Sequence, residues 1–142
     1  KSFVARSGRL LDKILAACNF NRSGHVFIGN IVKCRPPENR TPATEEMAAC
    51  LPYLEEQIEL IKPEILVLLG ATALRALFGT AMKITQSRGN WLVWNNRLVM
   101  PTYHPSALLR NPNLKKDAWE DFKKVILKYR ELVDSGHQCK YV

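Results

Sequence analysis

The segment Pro101–Arg110 combines an imidazole, a hydroxyl, two leucines and a guanidinium directly after the apolar run 98–100. Its two prolines fix φ and remove backbone donors, so the segment is predicted to form a rigid loop at a strand end. Proteins of the α/β class place their chemistry in such loops. His104 beside Leu108, Leu109 and Arg110 suits a protein that inserts an apolar wedge into a nucleic-acid stack while a proton donor stands close by. The alternative is a buried loop whose leucines belong to the core.

A second group of polar and sulfur-containing side chains lies in the segment 30–42 and at Cys50. The run 26–28 predicts a buried strand, which puts Asn30 and Lys33 where that strand ends. Cys34 and Cys50 are separated by fifteen residues, unlike the short Cys-x-x-Cys steps of zinc sites. On spacing alone, such a pair most often consists of ordinary buried thiols.

The chain is strongly basic, with 21 Lys and Arg against 13 Asp and Glu and a formal net charge of +8. This balance favours an anionic partner, of which nucleic acid is the commonest, although a merely basic surface is the alternative. No apolar run approaches the length of a membrane span, so no membrane partner is expected. Four cysteines without close spacing favour a reducing compartment, and hence the cytoplasm, over a disulfide scaffold.

Helical and extended patterns alternate over a single predicted domain, residues 1–134, which is followed by a frayed tail over 135–142. The predicted helices are 10–17, a long helix from Thr41 to before Pro63, a helix from Gly70 to Gly79 and a last helix from Asn111 to Val133. The predicted strands are 26–32 and 65–69, followed by a hairpin or two closely linked strands over 91–100 with Asn95 and Asn96 between them. The continuous apolar run 65–69 is typical of a parallel strand covered on both faces. This layout predicts the α/β class, as a three-layer α/β/α sandwich with a mainly parallel central sheet.

Five segments, taken in order, resemble family 4 uracil-DNA glycosylases, the iron–sulfur-containing bacterial and archaeal branch of that superfamily. The matching segments are SFVARSGRLLD at 2–12, NIVKCRPPENRTP at 30–42, LGATA at 69–73, RGNW at 88–91 and HPSALLR at 104–110. Each segment is weakly specific, but five at compatible spacing are strongly so. The resemblance runs from about Lys1 to Tyr129 and implies the uracil-DNA glycosylase fold.

The resemblance implies a hydrolase that flips uracil out of DNA and cleaves its N-glycosidic bond. His104 would donate a hydrogen bond to uracil O2 that strengthens as negative charge develops on the departing base. Asn30 would accept from N3–H and donate to O4, a pattern that cytosine reverses. Phe3 would stack on the flipped ring. The expected partner is uracil-containing DNA, single- or double-stranded, and the expected protein is a cytoplasmic monomer of a bacterium or archaeon.

The same resemblance assigns contacts with the DNA backbone and stack. Leu108 and Leu109 would fill the gap left by the flipped base, and Arg110 would steer to phosphate. Ser106 belongs to the same motif. The segment 87–89, which includes Arg88 and Gly89, and the turn at 70–72 would present backbone N–H groups and a helix N-terminus where phosphates dock, although a simple strand-to-helix turn is the alternative at Gly70.

Cys34 and Cys50 match the second pair of ligands for the family's [4Fe–4S] cluster, which needs four thiolates. In family members two further cysteines and a water-positioning loop precede the region that matches Lys1, so the chain is expected to lack them. Cys18 is predicted to lie in the core and Cys139 in the tail, with His25 and His137 solvated. Two other functions stay open: a non-catalytic DNA-binding or scaffold domain, and a sister glycosylase for other deaminated or mismatched bases.

Overall fold

The computed structural model describes residues 3–20, 25–29, 44–139 and 141–142. Within them the chain alternates between helices and short strands. The elements are α1 (Phe3–Cys18), β1 (Val26–Gly29), α2 (Thr44–Ile61), β2 (Ile65–Leu69), α3 (Gly70–Phe78), α4 (Ile84–Ser87), β3 (Leu92–Trp94), β4 (Arg97–Thr102), α5 (Pro105–Arg110), a 3₁₀ turn (Pro112–Leu114) and α6 (Lys115–Leu132). None of the described helices is both long enough and apolar enough to cross a bilayer.

The four described strands form one sheet in the order β1-β2-β4-β3. β1, β2 and β4 run parallel, and β3 pairs with β4 in the antiparallel sense. Asn95 and Asn96 make the tight turn between β3 and β4, with φ of 48° and 64°, and asparagine tolerates this left-handed conformation better than most residues. The predicted mainly parallel sheet and the hairpin at Asn95 and Asn96 are therefore confirmed.

Alternate side chains of β2 pack on opposite faces of the sheet, and helices cover both faces, so the fold has three layers. Ile65, Val67 and Leu69 join a core cluster with residues of α1 and α6. Leu66 and Leu68 join a second cluster with residues of α2 and α3. All five β2 side chains are buried, as expected for a strand covered on both faces. The prediction of an α/β/α sandwich is confirmed.

α1 begins at Phe3 rather than near Leu10, where the helical pattern of the sequence begins. Ser7 and Gly8 are poor helix formers, and by propensity they argue against a helix. Ser7 is nevertheless buried, and α1 packs against α5. Tertiary packing thus extends the helix through residues whose local preference is weak.

The expectation of a frayed chain beyond Asp134 is wrong for its described residues. The His137 ring stacks on Phe20 at 5.4 Å and meets the Tyr129 ring edge-on at 4.7 Å. Arg130 donates to the carbonyls of His137 at 2.9 Å and Val142 at 3.0 Å. The expectation that His137 is solvated is also wrong, because its partly buried ring covers the aromatic surface of Phe20 and Tyr129.

Candidate functional site

The carboxyl ends of three parallel strands meet at one edge of the sheet. Gly29, the last residue of β1, is in register with Leu68, and Leu69 is in register with Thr102 of β4. The chain beyond β2 enters α3 at Gly70, and the chain beyond β4 reaches His104 two residues later. Such an edge is where open α/β sheets bind ligands, so the predicted imidazole lies where the fold class favours a site.

Gly70 and His104 are packed directly against each other at this edge. Gly70 has φ of +86°, and a Cβ placed on it would lie 3.0 Å from the His104 Cβ. Glycine is needed at this position both for the left-handed backbone and for the close approach. From its sequence, Gly70 is expected to form a phosphate-docking turn or a simple strand-to-helix turn, and its described contact is with the His104 side chain.

His104 caps α5, and that contact determines which ring nitrogen carries the proton. Its Nδ1 accepts a hydrogen bond of 3.0 Å from the Ser106 backbone N–H. The Ser106 hydroxyl oxygen lies 2.9 Å from the same nitrogen and 3.4 Å from Arg110 Nη2. An Nδ1 that accepts from a backbone amide holds a lone pair, so the proton of the neutral imidazole is on Nε2. The site therefore presents an Nε2–H donor.

The two leucines of α5 differ in burial, although they are adjacent in sequence. Leu108 is 2% exposed and belongs to the interior. Leu109 is partly buried, and Arg110 is exposed. Leu108 therefore fits the alternative of a core leucine, since α5 packs on α1 and the Leu108 side chain lies on the buried side of the helix. A role in DNA contact stays a prediction for all three residues, and Leu109 and Arg110 have the burial that suits it.

Arg88 forms an ion pair with Asp121, a fully buried carboxylate of α6. Its Nη2 donates to Asp121 Oδ1 at 2.6 Å and its Nε donates to Oδ2 at 3.1 Å. These hydrogen bonds are the main reason that the pKa of the Arg88 guanidinium is raised above its ordinary value. Thr102 adds a third hydrogen bond, from its hydroxyl to Asp121 Oδ2 at 2.7 Å. A charge-assisted pair of this geometry is strong, and it engages the Arg88 side chain within the protein.

Gly89 is held in the same network through its backbone. Its N–H donates to the Pro101 carbonyl at 3.0 Å, and its own carbonyl accepts from Lys124 Nζ at 2.8 Å. Its φ is +78°, and a Cβ there would lie 2.7 Å from Asp121 Oδ1. The phosphate contacts predicted for Arg88 and Gly89 stay predictions, but the described geometry gives both residues protein partners instead.

Asp121 and Thr102 were missed by the sequence analysis. The signal for Asp121 was available, since it lies three residues after Ala118 and four before Val125, on the apolar face of α6. A charged residue on the buried face of a helix requires a partner, and a buried carboxylate is a reason to look for an arginine. Its partner could not be found in this way, because Arg88 lies 33 residues away in the chain.

Several predicted site residues lie beyond what the structure describes. Asn30 and Cys34 fall outside the described residues altogether. The backbones of Phe3 and Cys50 belong to α1 and α2, but their side chains lie outside the described part of the chain. The stacking, recognition and cluster assignments for these residues remain predictions.

The described cysteines differ from cluster ligands in their chemistry. Cys18 is 0% exposed, and burial raises its pKa to about 12, so the thiol is not disposed to become the thiolate that iron binds. Cys139 donates from its Sγ to the Ala17 carbonyl at 3.0 Å. Among the residues that the structure describes, no group of three or more His, Cys, Asp or Glu is arranged to hold a metal ion.

Comparison with known proteins shows which family the chain resembles. A family model described as the uracil DNA glycosylase superfamily matches residues 1–123. A type-4 uracil-DNA glycosylase of Thermotoga maritima is 47% identical over 128 residues, which cover 87% of this chain and 66% of the relative. Type-4 uracil-DNA glycosylases of Saccharolobus solfataricus and Sulfurisphaera tokodaii are 44% and 43% identical over 133 residues, covering 88% of this chain and 62% and 60% of those relatives. The chain thus spans between 60% and 66% of the length of these relatives.

Proposed function

Because the chain belongs to the uracil-DNA glycosylase superfamily, we propose that the protein excises uracil from DNA by hydrolysing its N-glycosidic bond. The observation that carries the proposal is His104, held at the carboxyl edge of the sheet with its Nδ1 accepting from Ser106. The similarity to type-4 enzymes supports the family 4 branch and, with it, a bacterial or archaeal origin and a cytoplasmic location. We expect the protein to act as a monomer.

In this reaction the bond between base and deoxyribose breaks with negative charge developing on uracil O2. A neutral imidazole with its proton on Nε2 donates one hydrogen bond to that oxygen, and the bond strengthens as the charge grows. The Ser106 amide keeps the other nitrogen as an acceptor, and Gly70 confines the imidazole on its Cβ side. The donor is therefore aligned before substrate arrives, which avoids the cost of ordering it in the transition state.

Recognition of the base is proposed for two residues outside the described side chains. Asn30 directly follows Gly29, the last residue of β1, whose carboxyl end shares the edge with β2 and β4. Its carboxamide would accept from uracil N3–H and donate to O4, and cytosine would leave both groups unpaired. Phe3 would stack on the flipped ring, an interaction worth about 1–3 kcal/mol by analogy with single-strand binders.

For contact with DNA we propose Leu109 as the residue that enters the stack and Arg110 as a phosphate contact. Leu109 is partly buried, and Arg110 is exposed at the end of α5, close after His104. The net charge of +8 favours the approach of either single- or double-stranded DNA. Ser106 is 1% exposed and contacts His104, so it contributes by bracing the imidazole.

A [4Fe–4S] cluster is proposed as a structural cofactor, with Cys34 and Cys50 as two of its four thiolates. Such a cluster would tie the proline-rich segment after Cys34 to the helix that carries Cys50. The described thiols Cys18 and Cys139 are not proposed as ligands, since one is buried with a raised pKa and the other bonds to a backbone carbonyl. Iron content per chain, compared between the wild type and Cys34→Ser, tests this assignment without reference to activity.

The test of function is single-turnover excision of uracil from defined oligonucleotides by the whole protein. His104→Ala should slow excision by about 10²–10³-fold, the cost of one donor to a developing oxyanion, with little change in affinity for DNA. His25→Ala is the matched control, because His25 is 45% exposed and pairs with Glu64 near the start of β2. An unchanged rate for His104→Ala would remove this role.

Two outcomes of the same assay distinguish the other candidate functions. Wild-type protein that binds the oligonucleotides tightly but releases no uracil would indicate a DNA-binding domain. Release of another deaminated or mismatched base in preference to uracil would indicate a sister glycosylase.

A further inference from the structure

We infer that Asp121 and Thr102 are positioning residues, which hold the carboxyl end of β4 so that His104 is placed for catalysis. The inference deepens the proposed function and rests on it for the reaction concerned. Neither residue is assigned a contact with substrate, since Thr102 and Asp121 are both 0% exposed.

Three separate parts of the chain meet at the Asp121 carboxylate. α6 contributes Asp121 itself, the segment after α4 contributes Arg88, and β4 contributes Thr102. The carboxylate accepts three hydrogen bonds, at 2.6, 2.7 and 3.1 Å. A buried carboxylate engaged on both oxygens leaves little freedom to any of its donors, because moving one donor leaves a buried charge poorly satisfied.

Thr102 transmits this constraint to the imidazole through a very short piece of chain. It is the last residue of β4, and only Tyr103 separates it from His104. Two residues span at most about 7 Å, so the position of Thr102 limits where His104 can lie. Arg88 also faces the intervening residue, with its Cζ 6.0 Å from the Tyr103 ring centroid.

The other boundaries of His104 complete the arrangement. Gly70 lies against its Cβ, and Ser106 bonds to its Nδ1. Gly89 donates to the carbonyl of Pro101, which precedes Thr102, so the backbone of β4 is also tied to the Arg88 segment. The imidazole is therefore fixed from the α3 side, from α5 and, through Thr102, from α6.

A purely structural ion pair is the competing explanation, and it makes different predictions. A buried pair often contributes little net stability compared with apolar side chains of the same volume. If the ion pair served stability alone, loss of the Thr102 hydroxyl would lower the melting temperature without a selective effect on His104. A positioning role predicts that the imidazole itself changes.

The experiment compares Thr102→Val with Thr102→Ser in the whole protein. Valine has the shape of threonine but cannot donate to Asp121, whereas serine restores the donor. Ile126→Val is the control for destabilisation, since Ile126 is a fully buried residue of α6 whose apolar side chain makes none of the hydrogen bonds to Asp121, and the substitution removes one methylene. Each variant is assayed at the same interval below its own melting temperature.

Two readouts are measured on every variant. The first is the single-turnover rate of uracil excision together with the Kd for DNA. The second is the ¹⁵N spectrum of protein labelled at its histidines. The chain has three imidazoles, which belong to His25, His104 and His137. The two nitrogens of each ring report its tautomer and hydrogen bonding.

Thr102→Val should slow excision by about 10–100-fold while the Kd for DNA changes by less than about twofold, as a displaced catalytic group implies. The His104 signals should move, and those of His25 and His137 should not. Thr102→Ser should recover the rate to within about threefold, and Ile126→Val should keep both readouts at wild-type values.

A Thr102→Val protein with the wild-type rate, or with unmoved His104 signals, overturns the inference, as does an equal loss in Ile126→Val. Should the wild-type protein release no uracil, the proposed function fails. The histidine spectrum then still decides whether Thr102 positions His104.

Discussion

Leu108 and Leu109 are neighbours in α5, and replacing each with alanine separates packing from DNA contact. Leu108 is 2% exposed, so Leu108→Ala removes buried carbon atoms and leaves a cavity, at a cost of about 2–5 kcal/mol in the free energy of unfolding. For a protein of this size class, that cost lowers the melting temperature by roughly 5–15 °C. Leu109 is only partly buried, and Leu109→Ala should cost about 1 kcal/mol or less.

The effects on excision should run in the opposite order. Opening a duplex to extrude a base costs a few kcal/mol of stacking and pairing that a single strand does not require. Leu109→Ala should therefore slow single-turnover excision from duplex about tenfold more than from single-stranded DNA. Leu108→Ala, measured well below its melting temperature, should affect both substrates equally.

Either of two results would refute this reasoning. A melting temperature for Leu108→Ala within about 2 °C of wild type would mean that the side chain is not part of the packed interior. Equal losses on duplex and single-stranded DNA for Leu109→Ala would mean that Leu109 does not enter the stack.

Three further predictions follow from described contacts. Gly70→Ala should destabilise the protein by about 1–2 kcal/mol through its left-handed backbone and slow excision by displacing His104; a wild-type rate would show that their contact is unimportant. His137→Ala should lower the free energy of unfolding by about 2 kcal/mol through lost ring contacts. His25 is exposed, so His25→Ala should lower it by less than about 0.5 kcal/mol. Equal losses for the two variants in urea unfolding would contradict the packing of His137 against the domain. Burial raises the pKa of Cys18 from 9.0 to about 12, so the folded state holds this proton more tightly than the unfolded chain. The stability that this proton contributes is present below pH 9 and is lost as pH rises towards 12. The free energy of unfolding, measured with urea between about pH 8 and 10.5, should therefore fall more steeply with pH for wild type than for Cys18→Ala. Parallel slopes for the two proteins would contradict this prediction.

The strands and the position of the imidazole could be predicted from sequence because their signals are local. The apolar run 65–69 describes a strand covered on both faces, and Asn95 with Asn96 describes a tight hairpin turn. His104 follows a strand and precedes a proline, which places it at a strand end and at the start of a helix. Each of these features depends on residues within a few positions of one another.

Tertiary structure decided which of two equivalent residues is buried and which distant residues are partners. Leu108 and Leu109 have the same chemistry, and only the packing of α5 on α1 turns Leu108 inward. Arg88 lies in a segment that was predicted to dock phosphate, but the fold brings its guanidinium to a buried carboxylate 33 residues away. Residues so far apart leave no periodic signal in the chain, because their contact arises only when the segment after α4 is packed against α6.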